Sequence, residues 1–138
     1  MKKVLILMAT YNGAKYLDEQ IQSLIEQKNV QVDILVRDDG STDNTIEVLN
    51  KWKEQNKLEW YKGKHLNVQF GFYDLMERAR TRDVDYLAFC DQDDYWESNK
   101  LSVSTARLKQ LEQKYGKECP LLVYSDMSVV DEELNEIS

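Results

Sequence analysis

The sequence predicts an α/β fold, a mostly parallel central sheet with helices on both faces. Three observations carry this expectation. Short, continuous apolar runs recur along the chain, as suits strands buried on both sides of a parallel sheet. Between them lie stretches whose apolar residues return at helical spacing. Three of the apolar runs end in polar sequences, ATYNG, RDDGSTDNT and CDQDDYW, that read as loops.

The first apolar run, residues 4–8, reads VLILM. Its basic start, MKKVLILMATYNG, resembles a secretion signal, but the run is short and no small-residue cleavage pattern ends it, so it reads as the first strand. Leu17, Ile21, Leu24 and Ile25 mark a first helix and residues 32–36 a second strand. Ile46, Leu49 and Trp52 mark a second helix, with Ser41, Thr42 or Asp43 as its N-cap. Residues 58–61 form a short third strand, and Phe72, Leu75, Met76 and Ala79 a third helix. A fourth strand at 86–90 runs into the acidic sequence. Leu101, Leu108 and Leu111 lie on a long helix that Tyr115 and Gly116 should end. A fifth strand at 121–124 and an acidic tail, a hairpin or interrupted element, follow. There is no internal repeat or low-complexity linker, and Pro120 is the one proline, so residues 1–138 read as a single domain.

A chain of 138 residues can bury one real core. Its formal net charge of -7 argues against a nucleic-acid partner, which needs a basic face. A small anionic ligand stays compatible, since a divalent cation can sit between local carboxylates and phosphates. No apolar run approaches the roughly 20 residues of a membrane span. Cys90 and Cys119 lie far apart and form no CxxC, which suits two buried, reduced thiols in the cytosol. The single His65 rules out a multi-histidine metal site.

In sheets of this kind ligands bind beyond the carboxyl ends of the strands, so the three polar loops should open onto one edge. In RDDGSTDNT, a tight turn at Gly40 and a helix cap explain much of the sequence, but not the adjacent Asp38 and Asp39. Asp39, directed into the crevice, would accept hydrogen bonds from a base or a ribose. In ATYNG, Thr10 and Asn12 can cap the first helix and Tyr11 can pack. A G-x-G-x-x-G loop and a Walker lysine are both missing, with only Gly13 present, so a bound nucleotide is not held by a glycine-rich phosphate loop.

FCDQDDYW places Asp91, Asp93 and Asp94 within four residues. On an extended backbone Asp91 and Asp93 would point to one side and Asp94 to the other. Two oxygen ligands suit a hard divalent ion that completes its shell with water and substrate phosphates. The plainer alternative is a solvated acidic loop, with Asp94 or Ser98 capping the long helix. Trp96 reads as a lid or a packing residue.

Taken together, ATYNGAKYLDEQIQSL, VRDDGSTDNT and FCDQDDYW, at these distances and over essentially the whole chain, resemble the family 2 glycosyltransferases of the GT-A fold. The DQDDYW form, with SVV after YSD, most resembles the bacterial rhamnosyltransferase-like branch that builds surface polysaccharides. The resemblance implies the Rossmann-like nucleotide-binding half of such an enzyme. It implies a dTDP-, UDP- or GDP-sugar donor, Mg2+ or Mn2+, and inverting transfer to a glycan or lipid-linked saccharide. It also implies a cytoplasmic protein, peripherally associated with the inner face of the cell membrane. Carried over by position, Thr10, Tyr11 and Asn12 would lie against the nucleotide and Asp39 would bind the base. Asp91 and Asp93 would contact the ribose and the metal-diphosphate. Relatives often read N-x-G-F-x-x-N at the third helix entrance. This chain reads NVQFGFY, with Gln69 and Tyr73 in place of Gly and Asn, so Asn67 is the one nucleotide contact carried over from that loop. Family members run on into an acceptor-binding half that supplies the catalytic base. The base is therefore expected beyond Ser138, with Asp126 the best candidate before it, and the 138 residues alone should bind donor without transferring sugar.

Two other classes use clustered acids or bind nucleotides. A metal-dependent phosphoryl-transfer or signalling α/β domain would carry its acidic motif after the first strand, where this chain has ATYN. A non-catalytic nucleotide-binding module would share the binding residues without the chemistry.

Overall fold

Residues 4–8 are apolar on both sides of the strand because they form the middle of the sheet. The computed structural model of the chain describes residues 1–64, 68–92 and 94–116, and of residues 68 and 69 the backbone alone. Its elements alternate: β1 (Lys2–Thr10), α1 (Ala14–Ile25), β2 (Val30–Asp38), α2 (Thr45–Glu54), β3 (Glu59–Lys62), α3 (Val68–Ala79), β4 (Tyr86–Cys90) and α4 (Lys100–Tyr115). Among the described residues the sheet has the order β3-β2-β1-β4, with every neighbouring pair parallel. Asn67, Asp93, Asp126, His65, Cys119 and the expected strand at 121–124 lie outside the described residues.

The two-residue period of β1 divides the core. Val4, Ile6 and Met8 pack with Ile34, Val36, Leu17, Ile21, Leu24 and Leu49, on the face covered by α1 and α2. Leu5 and Leu7 pack with Leu35, Leu75 and Ala79, on the face covered by α3. Helices therefore cover both faces, as the apolar runs predict. Each fully buried aliphatic side chain here contributes about 1.5–3 kcal/mol, so Ile6→Ala costs about 2–5 kcal/mol once its cavity is included.

The differences from expectation lie at element ends. The ladders extend β1 and β2 beyond their apolar runs, β3 is shifted by one residue, and α3 begins at Val68. The second helix starts at Thr45 with Asn44 at the N-cap, not with Ser41, Thr42 or Asp43. Those three residues hold the loop together instead, and Asp43 accepts the Thr45 N–H at 3.0 Å from just outside the helix. α4 ends at Tyr115, as expected. Gly116 follows at φ 88°, a left-handed conformation that glycine adopts without steric cost, and its N–H reaches Glu112 O at 2.8 Å.

The chain divides into two units, Met1–Val103 and Ser104–Ser138. The first contains the whole described sheet and the loops at its carboxyl edge. In the second, the described residues continue α4 to Tyr115. No helix among the described residues is long and apolar enough to cross a membrane.

Candidate functional site

Parallel register brings the ends of β1, β2 and β4 to one edge. Thr10 stands opposite Asp38, and Met8 opposite Cys90. The loops that follow are joined by hydrogen bonds. Asn12 N–H donates to Ser41 Oγ (2.9 Å), Thr42 N–H to the Asn12 side-chain oxygen (2.8 Å) and Gly13 N–H to Thr45 Oγ1 (3.0 Å). The third loop joins through Gln92, which accepts from Tyr11 N–H at 2.7 Å and donates to Tyr11 O at 3.1 Å. Gly13 leaves room beside it, because a Cβ there would overlap the Gln92 carboxamide and push it aside.

Helix α1 and the turn that follows it fix the remainder of the third loop through buried polar residues. Gln20 donates to Asp91 O (2.5 Å), and Ser23 Oγ accepts from Trp96 N–H (3.2 Å). Gln27, just beyond the end of α1, donates to Glu97 O (2.7 Å) and accepts from Leu101 N–H (2.9 Å), so its side chain serves the first turn of α4. Trp96 is a packing residue, buried in the larger core with the Lys100 ammonium 4.7 Å from its ring centre.

The adjacent aspartates do different work. Asp38 is fully buried and accepts four hydrogen bonds, from the Thr10 and Ser41 hydroxyls (2.9 and 2.6 Å) and from Gly40 and Ser41 N–H (3.1 and 2.9 Å). It closes the turn, in which Gly40 takes φ 90°. Asp39 is 8% exposed. Its Oδ1 accepts from Arg37 Nε at 2.9 Å. Its Oδ2 has no partner among the described residues and lies beside Gly71, where a Cβ would be 3.8 Å away.

Arg37, 2% exposed, also donates through Nη2 to Lys64 O (2.7 Å). Its Nη1 lies 3.3 Å from Asp74 Oδ2, near enough for attraction but not aligned as a hydrogen bond. Asp74 accepts from the Tyr61 hydroxyl at 2.6 Å, and the Arg78 guanidinium lies 3.7 Å over the Tyr61 ring. Burial and then Asp74 push the Tyr61 phenol above its ordinary range. Gly63 gives Arg37 its space, since a Cβ there would overlap the guanidinium.

The acidic loop corrects one expectation. The β1–β4 ladder ends at Cys90, and Asp94 N–H lies 3.4 Å from Asp91 O, so the chain turns after Asp91. The extended alternation that would sort Asp91 and Asp93 from Asp94 does not apply, because Gln92 is drawn back to Tyr11 and the ladder has ended. Asp91 is exposed, and its carboxylate has no partner among the described residues. As a hard oxygen donor it suits Mg2+ or Mn2+. Among the described residues no three His, Cys, Asp or Glu side chains form a metal-binding group. Next to it Cys90 is a buried free thiol, pushed up to about 12 by burial, with the Gln20 amide 3.2 Å from Sγ partly opposing that rise.

Of the nucleotide contacts expected from ATYNG, Thr10 is buried with its hydroxyl on Asp38, Tyr11 is 45% exposed, and Asn12 braces the second loop. The motif reading passed over Arg37, Gln92, the α1 residues Gln20 and Ser23, and Gln27 just beyond that helix. Arg37 left a signal, a charged residue at the end of the apolar run before the aspartate pair.

The family model described as Glycosyl transferase family 2 matches residues 5–115. The chain belongs to this family. This family 2 member is 38% identical over 104 residues to the dTDP-rhamnosyl transferase RfbG of Shigella flexneri, covering 68% of this chain and 34% of that protein. It is 31% identical over 103 residues to the UDP-Glc:alpha-D-GlcNAc-diphosphoundecaprenol beta-1,3-glucosyltransferase WfaP of Escherichia coli, covering 74% and 39%. The chain spans about a third of the length of the curated relatives it matches. Among solved structures, Staphylococcus aureus TarS aligns over 99% of this chain and 43% of its own with a TM-score of 0.66 at 21% identity, a likeness of fold. The TarS complex with UDP-GlcNAc aligns over 80% and 32%, with a TM-score of 0.61 at 26% identity. The GT-A fold and the family membership are as the three motifs implied.

Proposed function

We propose that the chain is the nucleotide-sugar-binding part of an inverting, metal-dependent glycosyltransferase that serves bacterial surface polysaccharide synthesis. The observation that carries this reading is Asp39, a nearly buried carboxylate at the carboxyl edge with one oxygen unpartnered among the described residues. That oxygen can accept the ring N–H of a base in a charge-assisted hydrogen bond. Relatives named for dTDP-rhamnosyl and UDP-Glc transfer, and the neighbour solved with UDP-GlcNAc, support a nucleotide-sugar donor.

On this reading Tyr11, Asn12 and Asn67 line the nucleotide, and Thr10 serves it by holding Asp38 in place. Asp91 and Asp93 reach the ribose and hold Mg2+ or Mn2+, an ion the family generally uses. The ion's chemistry is to offset the negative charge that grows on the leaving diphosphate. An acceptor hydroxyl, on a glycan or lipid-linked saccharide, attacks the anomeric carbon from the face opposite the diphosphate. One carbon–oxygen bond forms as the other breaks, and the hydroxyl proton passes to a base. That base is assigned beyond Ser138, with Asp126 the alternative, so the 138 residues bind donor without transferring it. The whole protein would work in the cytoplasm at the inner face of the membrane.

The test is calorimetry of the chain with UDP, dTDP and GDP, with and without Mn2+. Binding of a nucleoside diphosphate that tightens with Mn2+ is the expected result. No binding of any of the three in Mn2+ would sink the reading.

A further inference from the structure

The proposed base-reading role of Asp39 leaves open which bases it can read, and Arg37 bears on that. A free carboxylate offers two oxygens side by side and can take two parallel donors. Guanine presents such a pair, its ring N–H and its exocyclic amino group. Uracil and thymine present one ring N–H between two carbonyls. In this chain the two oxygens of Asp39 are not equivalent. Oδ1 is bonded at 2.9 Å to Arg37 Nε, a group on a side chain 2% exposed, so it is engaged from the protein interior. Oδ2 has no partner among the described residues, and Gly71 leaves it uncovered by any side chain at that position.

Arg37 is itself held. Its Nη2 donates to Lys64 O at 2.7 Å, its Nη1 lies 3.3 Å from Asp74 Oδ2, and Gly63 packs against the guanidinium. A planar guanidinium fixed on three sides cannot swing away to release Oδ1 when a ligand arrives. We propose that Arg37 is a positioning residue that sets base specificity. By committing one oxygen of Asp39, it leaves a single acceptor suited to the lone ring N–H of uracil or thymine and unsuited to the two-donor edge of guanine.

This inference rests on Asp39 contacting the base, and the experiment separates the two claims. Calorimetry compares UDP, dTDP, GDP and N3-methyl-UDP on the chain. The diphosphate and any metal contribute alike to each, so the affinity ratios isolate the base. UDP and dTDP are expected to bind about tenfold or more tighter than GDP and N3-methyl-UDP, the effect of one hydrogen bond to a charged group. Arg37→Met should narrow the UDP-to-GDP ratio to within about threefold, chiefly by tightening GDP, whose two donors then find both oxygens of Asp39 free. Where Arg37→Met does not fold, Gly63→Ala displaces the same guanidinium and should narrow the ratio likewise. GDP binding to the parent as tightly as UDP overturns the proposal without any variant. So does a folded Arg37→Met or Gly63→Ala chain that keeps the parent ratio, because a purely structural arginine would weaken all ligands together. Unchanged UDP affinity in Asp39→Asn overturns the underlying contact. Weakened UDP in that variant, with the ratio kept in the arginine variants, removes only the role of Arg37.

Discussion

The Gln92 carboxamide and the Tyr11 backbone exchange two hydrogen bonds, at 2.7 and 3.1 Å, across 81 residues of chain. The side chain thus extends the β1–β4 pairing past the last strand residue and ties the acidic loop to the first one. Gln92→Ala should destabilise the chain by about 1–3 kcal/mol, two such bonds at about 0.5–1.5 kcal/mol each. Gly13→Ala should do the same, since its methyl would displace the carboxamide. The double variant should cost little more than either single one, as expected for groups sharing one contact. Urea unfolding of all three variants tests this, and full additivity would show that the two residues act separately.

Asp38 should matter for folding in a way that depends on the replacement. Asp38→Ala leaves Gly40 and Ser41 N–H without their acceptor in a half-buried turn and should cost about 2–4 kcal/mol. Asp38→Asn should cost clearly less. Its oxygen can serve the two N–H groups while its amino group meets the Thr10 and Ser41 hydroxyls, which rotate to accept. Equal losses for the two variants by urea denaturation would contradict the four-bond account.

The acidic loop should carry the metal dependence. Asp93→Ala and Asp91→Ala should each remove most of the increment in UDP affinity that Mn2+ gives the parent, and EDTA should lower the parent to the same level. Titration of UDP into each variant at saturating Mn2+ is the measurement. A full parental increment in Asp93→Ala would show that the ion sits elsewhere.

Cys90 gives a pH dependence of known sign. Its thiol is raised from the ordinary 9 to about 12 in the folded chain. The folded state therefore keeps a proton that the unfolded chain releases. Below pH 9 this stabilising difference is complete, and it is lost as pH rises from about 9 towards 12. Stability should fall by up to about 1.4 kcal/mol per pH unit in that window from this group, with Tyr61 adding to the fall at its upper end. Urea midpoints at pH 8 and 10.5 should differ less in Cys90→Ala than in the parent. An identical pH slope in the two would show that the thiol does not titrate differently on folding.

Much of the architecture was legible in the sequence because burial on two faces leaves a plain mark. VLILM is apolar throughout because β1 is central, and the alternation of Leu5 and Leu7 with Val4, Ile6 and Met8 assigns each to one core. The three edge loops were legible for a related reason, since polar residues directly after an apolar strand have few other places to go. Side-chain partnerships were not. Gln20, Ser23 and Gln27 look like ordinary polar positions on an amphipathic helix and the turn after it, yet all three are buried against a loop some 70 residues later. Asp38 and Asp39 are identical neighbours in sequence, and only the turn at Gly40 and the guanidinium of Arg37 give them different tasks. The turn after Asp91 escaped because it depends on Gln92 reaching back to Tyr11, a contact that pattern reading cannot locate.

The polar side of α1 also bears on the order in which the chain is made. Gln27 precedes Leu101, whose N–H it accepts, by 74 positions. At about 5–20 residues per second, a ribosome takes roughly 4–15 s to synthesise the stretch between them. Throughout that interval the nascent helix and the turn after it carry Gln20, Ser23 and Gln27 beside the apolar stripe with their later partners not yet made. Water solvates them in the meantime, which disfavours premature burial of that side of α1 against the wrong surface.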